Sequence, residues 1–132
     1  MTPELYILGW TLVLAIVQIL LPAGARGQQT GLGWNAGPRD EPPPPPTKLG
    51  GRLQRAQANL YETLPLFAAA ILIAHVAHRE GASTLVGALL FLIGRLVYLP
   101  LYAFGVPVVR SFAWGASVLG LLLVLLAILF PV

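Results

Sequence analysis

Glu62 and Arg95 are ionisable residues set deep in apolar stretches of the chain. A charge in lipid persists where it is paired or faces the interior of a bundle, so each is a candidate for binding or catalysis. Arg55, Gln57 and Asn59 lead up to Glu62, and Tyr98 and Tyr102 follow Arg95. Residues three, four and seven apart share one face of a helix. Arg55, Asn59 and Glu62 have that spacing, as do Arg95, Tyr98 and Tyr102. At 1.5 Å per residue, Glu62 and Arg95 each lie roughly 14 Å from the same end of their helices. The spacing therefore predicts an ion pair between adjacent helices within a polar cleft. A pair that merely locks two helices together is the alternative. That alternative leaves the polar face from Arg55 through Asn59, and from Tyr98 to Tyr102, without a purpose.

Arg110 adds a second element of chemistry. Pro107 suits the first turn of a helix, where free N–H groups and the helix dipole favour an anion. An arginine in that turn strengthens the preference, and a thiol placed there would be driven toward thiolate. An arginine setting topology at the membrane surface is an equal reading. The chain has no cysteine, so a reacting thiol would have to arrive with a ligand. His75 and His78 sit one turn apart with only Glu80 as a further ligand, which falls short of a metal site. They read as interfacial polar residues, and no metal is expected. No G-x-S-x-G, H-E-x-x-H or P-loop is present, and Gly31-x-Gly33 lacks the spacing of a dinucleotide fingerprint.

The elements that must position these residues are apolar. Of 132 residues, 57% are hydrophobic and 10% charged, with a mean hydropathy of +0.79. That composition excludes an ordinary soluble domain. The net charge of +3 is not arranged as a basic stripe with exposed aromatics, which excludes nucleic acid as a partner. An all-α membrane bundle of four helices is expected, over about 4–22, 52–78, 84–104 and 108–130. Pro22 is expected to end the first helix. Ala23-Gly24-Ala25 resembles a signal-cleavage site, but residues 1–6 carry Glu4 and no basic residue, so a retained helix is expected. Residues 23–50, with Pro42 to Pro46 in succession, predict a long exposed connection in polyproline II. Pro65 predicts a kink in the second helix. Tyr6, Trp10 and Trp114 suit interfacial or packing positions, and Ala116 and Gly120 are spaced for close helix packing.

Four spans place both termini on one side. The connection carries Arg26, Arg39, Lys48, Arg52 and Arg55, and the last turn carries Arg110, while the opposite side has Arg79. The positive-inside rule puts the long loop in the cytoplasm and both termini outside. Composition and brevity favour a bacterial inner membrane over an endomembrane.

The run Arg55-Ala-Gln-Ala-Asn-Leu-Tyr-Glu62-Thr-Leu-Pro65-Leu-Phe67, and Gly94-Arg95-Leu-Val-Tyr98-Leu-Pro-Leu-Tyr102 after it, resemble signature segments of the MAPEG family of membrane proteins in eicosanoid and glutathione metabolism. The resemblance implies a homotrimer of four-helix subunits, with glutathione as co-substrate in a cleft between neighbours near the cytoplasmic face. It implies Arg55, Gln57, Asn59, Glu62, Tyr98 and Tyr102 as glutathione contacts, beside the buried Arg95. Arg110 with Ser111 would stabilise the thiolate. The activity implied is transfer of glutathione to a lipophilic electrophile drawn from the bilayer, or reduction of a peroxide. A non-catalytic lipid-binding protein of the same fold is the alternative, and a purely structural membrane subunit a third reading.

Overall fold

The computed structural model describes residues 1–130. Four helices follow one another: α1 over Pro3–Ala36, α2 over Lys48–Val76, α3 over Ala82–Ala103 and α4 over Pro107–Leu129. All four are long and apolar enough to cross a membrane, as expected, and 28–39% of the most apolar window of each is buried within the chain. The remaining apolar surface faces outward, as it must in a protein whose solvent is lipid or a partner helix.

The first helix departs from expectation. Pro22 lies inside α1, which continues to Ala36. The prolyl ring removes one backbone hydrogen bond, but a membrane helix absorbs that loss without ending, and Ala23, Ala25, Arg26 and the glutamines beyond are compatible with helix. The backbone breaks instead at Gly31, with φ of 80° and ψ of 167°, a conformation open to glycine. The long connection expected over 23–50 is therefore helical for its first half, and only residues 37–47 run between helices. That strap is fastened to α1. The Gln29 amide donates to the Pro45 carbonyl at 2.6 Å, and Trp34 Nε1 donates to the Glu41 carbonyl at 2.8 Å. Pro65 likewise sits inside an uninterrupted α2.

The core gathers Ile7, Leu8 and Ala15 of α1, Leu60, Phe67 and Ile71 of α2, Phe91 of α3, and Leu121 and Val124 of α4. Phe67 and Phe91 stack with ring centroids 4.0 Å apart. α3 and α4 pair most closely, because glycines let their backbones touch. A Cβ on Gly87 would lie 2.5 Å from the Gly120 carbonyl oxygen, and one on Gly94 would lie 2.9 Å from that of Ala113. The small-residue signal at Gly120 is thus a real contact, and its partner on α3 is Gly87. α1 packs on α2 and α3 but makes no comparable contact with α4.

One end of the bundle is held by polar bonds. The Thr84 hydroxyl donates to buried Glu4 at 2.7 Å, and His75 meets Glu80. Arg79 donates to the Ile128 carbonyl at 2.7 Å, closing the last turn of α4. His75 and His78 do not converge on a metal: among the described residues there is no group of three or more metal-ligating side chains.

Candidate functional site

The opposite end, where α2 begins and α3 turns into α4, carries the chemistry. Arg55 and Asn59 lie one turn apart on α2. Tyr98 and Tyr102 lie one turn apart on α3. Arg110 and Ser111 occupy the first turns of α4, just after Pro107. These six residues and Trp114 line one pocket of about 260 Å³. Helical spacing explains the convergence, since each helix offers one face to a shared groove.

Tyr102 is the hub of the pocket. Arg55 Nε donates to its hydroxyl at 3.0 Å. The Arg110 guanidinium carbon lies 4.5 Å from the centre of its ring, and that of Arg55 lies 5.8 Å away. Two cations are thus held against one aromatic ring, with no carboxylate lining the pocket. The first turn of α4 has no side-chain cap, so its free N–H groups and positive dipole end add to the same field. Such an arrangement selects an anion.

Arg95 lies beneath this pocket, fully buried. Its Nη1 donates to Asn59 Oδ1 at 2.7 Å, and its guanidinium carbon sits 4.4 Å from the centre of the Tyr98 ring. It therefore braces two pocket residues from behind. The ion pair expected between Glu62 and Arg95 does not form. Glu62 is exposed on the outer surface of α2, and Asn59, one turn earlier, takes the guanidinium. The physical reason is rotational. Matched depth brings two groups level but does not turn them toward each other, and only the residue facing α3 can reach Arg95.

Gln57 is also displaced from the others. It stands half a helical turn from Arg55 and Asn59 and lines a separate groove between α1 and α2, with Arg26, Asn35, Arg39 and Gln54. One subunit therefore presents the sequence-derived residues on different surfaces: a pocket, a groove on the far side of α2, and Glu62 between neither. A larger hollow of about 520 Å³ at the other end, lined by Arg79 and Glu80, has those charges engaged elsewhere and no comparable convergence.

Trp114, expected at an interfacial or packing position, is the further residue lining the pocket. Its signal was its place one turn after Arg110, which puts both on one face of α4.

No curated protein and no solved structure matches this chain. A family model described as MAPEG family matches residues 7–130. With four membrane-spanning helices bearing the motifs of that family, the chain is an integral multi-pass membrane protein and belongs to the MAPEG family, proteins of eicosanoid and glutathione metabolism.

Proposed function

We propose that this protein is a glutathione-dependent transferase or peroxidase that acts on lipophilic electrophiles. The observation that carries the reading is the pair of arginines, Arg55 and Arg110, held against Tyr102 in a pocket without a carboxylate. Glutathione is an anion with two carboxylates, a peptide backbone and a thiol. Arg55 suits a carboxylate through paired N–H donors, and Asn59 and the tyrosine hydroxyls suit peptide groups. Arg110, Ser111 and the N–H groups opening α4 stabilise a thiolate.

A thiolate so placed attacks an apolar electrophile entering from the bilayer beside Trp114. Sulfur forms the new bond to carbon as the leaving group departs with its electron pair. On a hydroperoxide, sulfur takes the terminal oxygen and the alcohol is released. A second glutathione then yields disulfide and water.

The cleft is completed by a neighbour in a homotrimer. Gln57 cannot face the pocket of its own subunit, since it lines the groove on the other side of α2 with Arg26 and Arg39. Between subunits, that groove opposes the pocket and Glu62 meets the ligand amine. With the basic end in the cytoplasm, the side that the distribution of arginines favours, glutathione reaches the site from solution while the electrophile comes from a bacterial inner membrane.

Titration of the detergent-solubilised protein with glutathione tests the reading. Thiolate absorbance should rise on binding, Arg110→Ala should remove the rise, and an aryl halide should be conjugated. Binding without thiolate or turnover would favour a non-catalytic binding protein. Absence of glutathione binding would reject the transferase and peroxidase reading.

A further inference from the structure

Gln18 is buried in α1, and neither its amide nitrogen nor its amide oxygen has a hydrogen-bond partner within the chain. Its backbone carbonyl also loses the usual helical donor. Pro22, one turn on, has no N–H to give the Gln18 carbonyl. Two polar groups of one side chain are thus left open at membrane depth, where each costs free energy unless satisfied. A second orphaned set is equally buried: Nε and Nη2 of Arg95 also lack partners.

Helical rotation turns the two sets toward one another: Arg95 stands only about 20° around α3 from Thr84, and Gln18 about 40° around α1 from Glu4. The buried stripe of α1 runs through Glu4, Thr11 and Gln18. α1 packs on α2 and α3, so that stripe looks into the seam between them. Glu4 and Thr84 touch at the far end of the seam, and from that contact α1 and α3 run in the same direction. Gln18 lies about four turns along α1 and Arg95 about three turns along α3, or roughly 21 and 17 Å. The difference is within the reach of an arginine side chain.

We infer that ordered water occupies the seam between Gln18 and Arg95 and bridges them. The chemistry selects water over an ion. Arg95 offers only donors and repels a cation, while an anion, which cannot donate, would leave the Gln18 side-chain oxygen unsatisfied. Water alone accepts from the guanidinium or the Gln18 NH2 and donates to the Gln18 side-chain oxygen, and it finds the two to four polar partners that a buried water needs. The bridge holds Arg95 from the side opposite Asn59, so that a hydrated polar seam underlies the pocket.

Two near-isosteric variants, melted in detergent without ligand, test this independently of any glutathione activity. If Gln18 is bridged, Gln18→Leu strands the water and the Arg95 donors, and the melting temperature falls by several degrees. If Gln18 is simply unsatisfied in a dry seam, the same change removes a buried penalty and the melting temperature holds or rises. Gln18→Glu places a carboxylate toward an uncompensated guanidinium and should hold or raise the melting temperature at neutral pH. It should lower it if Arg95 is not across the seam. A fall with leucine together with no fall with glutamate supports the bridge, and any other combination overturns it. A density map resolving water between the two side chains is the direct observation. A direct Gln18–Arg95 hydrogen bond with no water between them would replace it.

Discussion

Arg95 Nη1 reaches Asn59 Oδ1 at 2.7 Å, so a fully buried guanidinium in a membrane bundle is met by a neutral amide. Among the described residues no carboxylate pairs with it. The charge is instead spread over Asn59 and the face of the Tyr98 ring, a weaker arrangement than an ion pair and one that leaves the pocket above it positive.

Asn59 therefore carries a large share of the local stability. Asn59→Leu should cost about 2 kcal/mol, the range for losing a hydrogen bond to a buried charge, and should lower the melting temperature of the detergent-solubilised protein. Asn59→Asp supplies the missing countercharge and should raise the melting temperature at neutral pH. An unchanged melting temperature in both variants would mean that Arg95 is satisfied by other groups.

The contact between α3 and α4 rests on glycine. Gly87→Ala sets a methyl group 2.5 Å from the Gly120 carbonyl oxygen, which the backbone cannot yield to without separating the helices. A loss of about 1–3 kcal/mol is expected from overpacking. Gly115 has open space beside it, so Gly115→Ala should be neutral. Thermal melts of the two variants side by side give the comparison.

Acid should loosen the end of the bundle that holds Glu4, His75 and Glu80. Burial pushes the Glu80 carboxyl upward, but the neighbouring polar side chains of Thr2, His75 and Glu4 outweigh it, and the group rests below its ordinary value of 4.5. A carboxyl that is more acidic in the folded protein stabilises the fold above its unfolded value. That contribution fades as pH falls through the folded value. Melting temperature should thus be level above about pH 5 and decline below pH 4.5. Glu80→Gln should flatten the decline. An equal slope in the variant would assign the acid sensitivity elsewhere.

In the proposed reaction the two arginines have different duties, and kinetics should separate them. Arg110→Ala should lower kcat by on the order of 100-fold, the scale for losing one stabiliser of a developing charge. It should also abolish the thiolate signal. Arg55→Ala should chiefly raise the KM for glutathione, by about 10- to 100-fold for one charged contact. The two effects appearing in reverse would exchange the roles.

Local order along the chain made much of this legible beforehand. Four apolar runs of spanning length announce four helices, because lipid admits little else. The spacing of Arg55 with Asn59, and of Tyr98 with Tyr102, announces shared faces, because helical rotation is set by the backbone. Pro22 misled because a proline breaks helices in water more readily than in a bundle, and the break passed to Gly31. Polyproline composition over Pro42–Pro46 was legible, but the bonds from Gln29 and Trp34 that tie the strap to α1 join residues 16 and 7 apart, outside any regular helical hydrogen-bond spacing.

By itself, the order of residues determined which groups lie at which depth and on which face of each helix, since rise and rotation per residue are local properties of the backbone. Tertiary structure alone decided which faces meet: Asn59 in place of Glu62 across from Arg95, Gln57 in a groove apart from its sequence neighbours, Trp114 beside Arg110, and Gln18 in the seam between helices. Those choices depend on how helices rotate and approach one another, and that is set by the close fit of Gly87 with Gly120 and of Phe67 with Phe91, contacts between elements that no single stretch of chain contains.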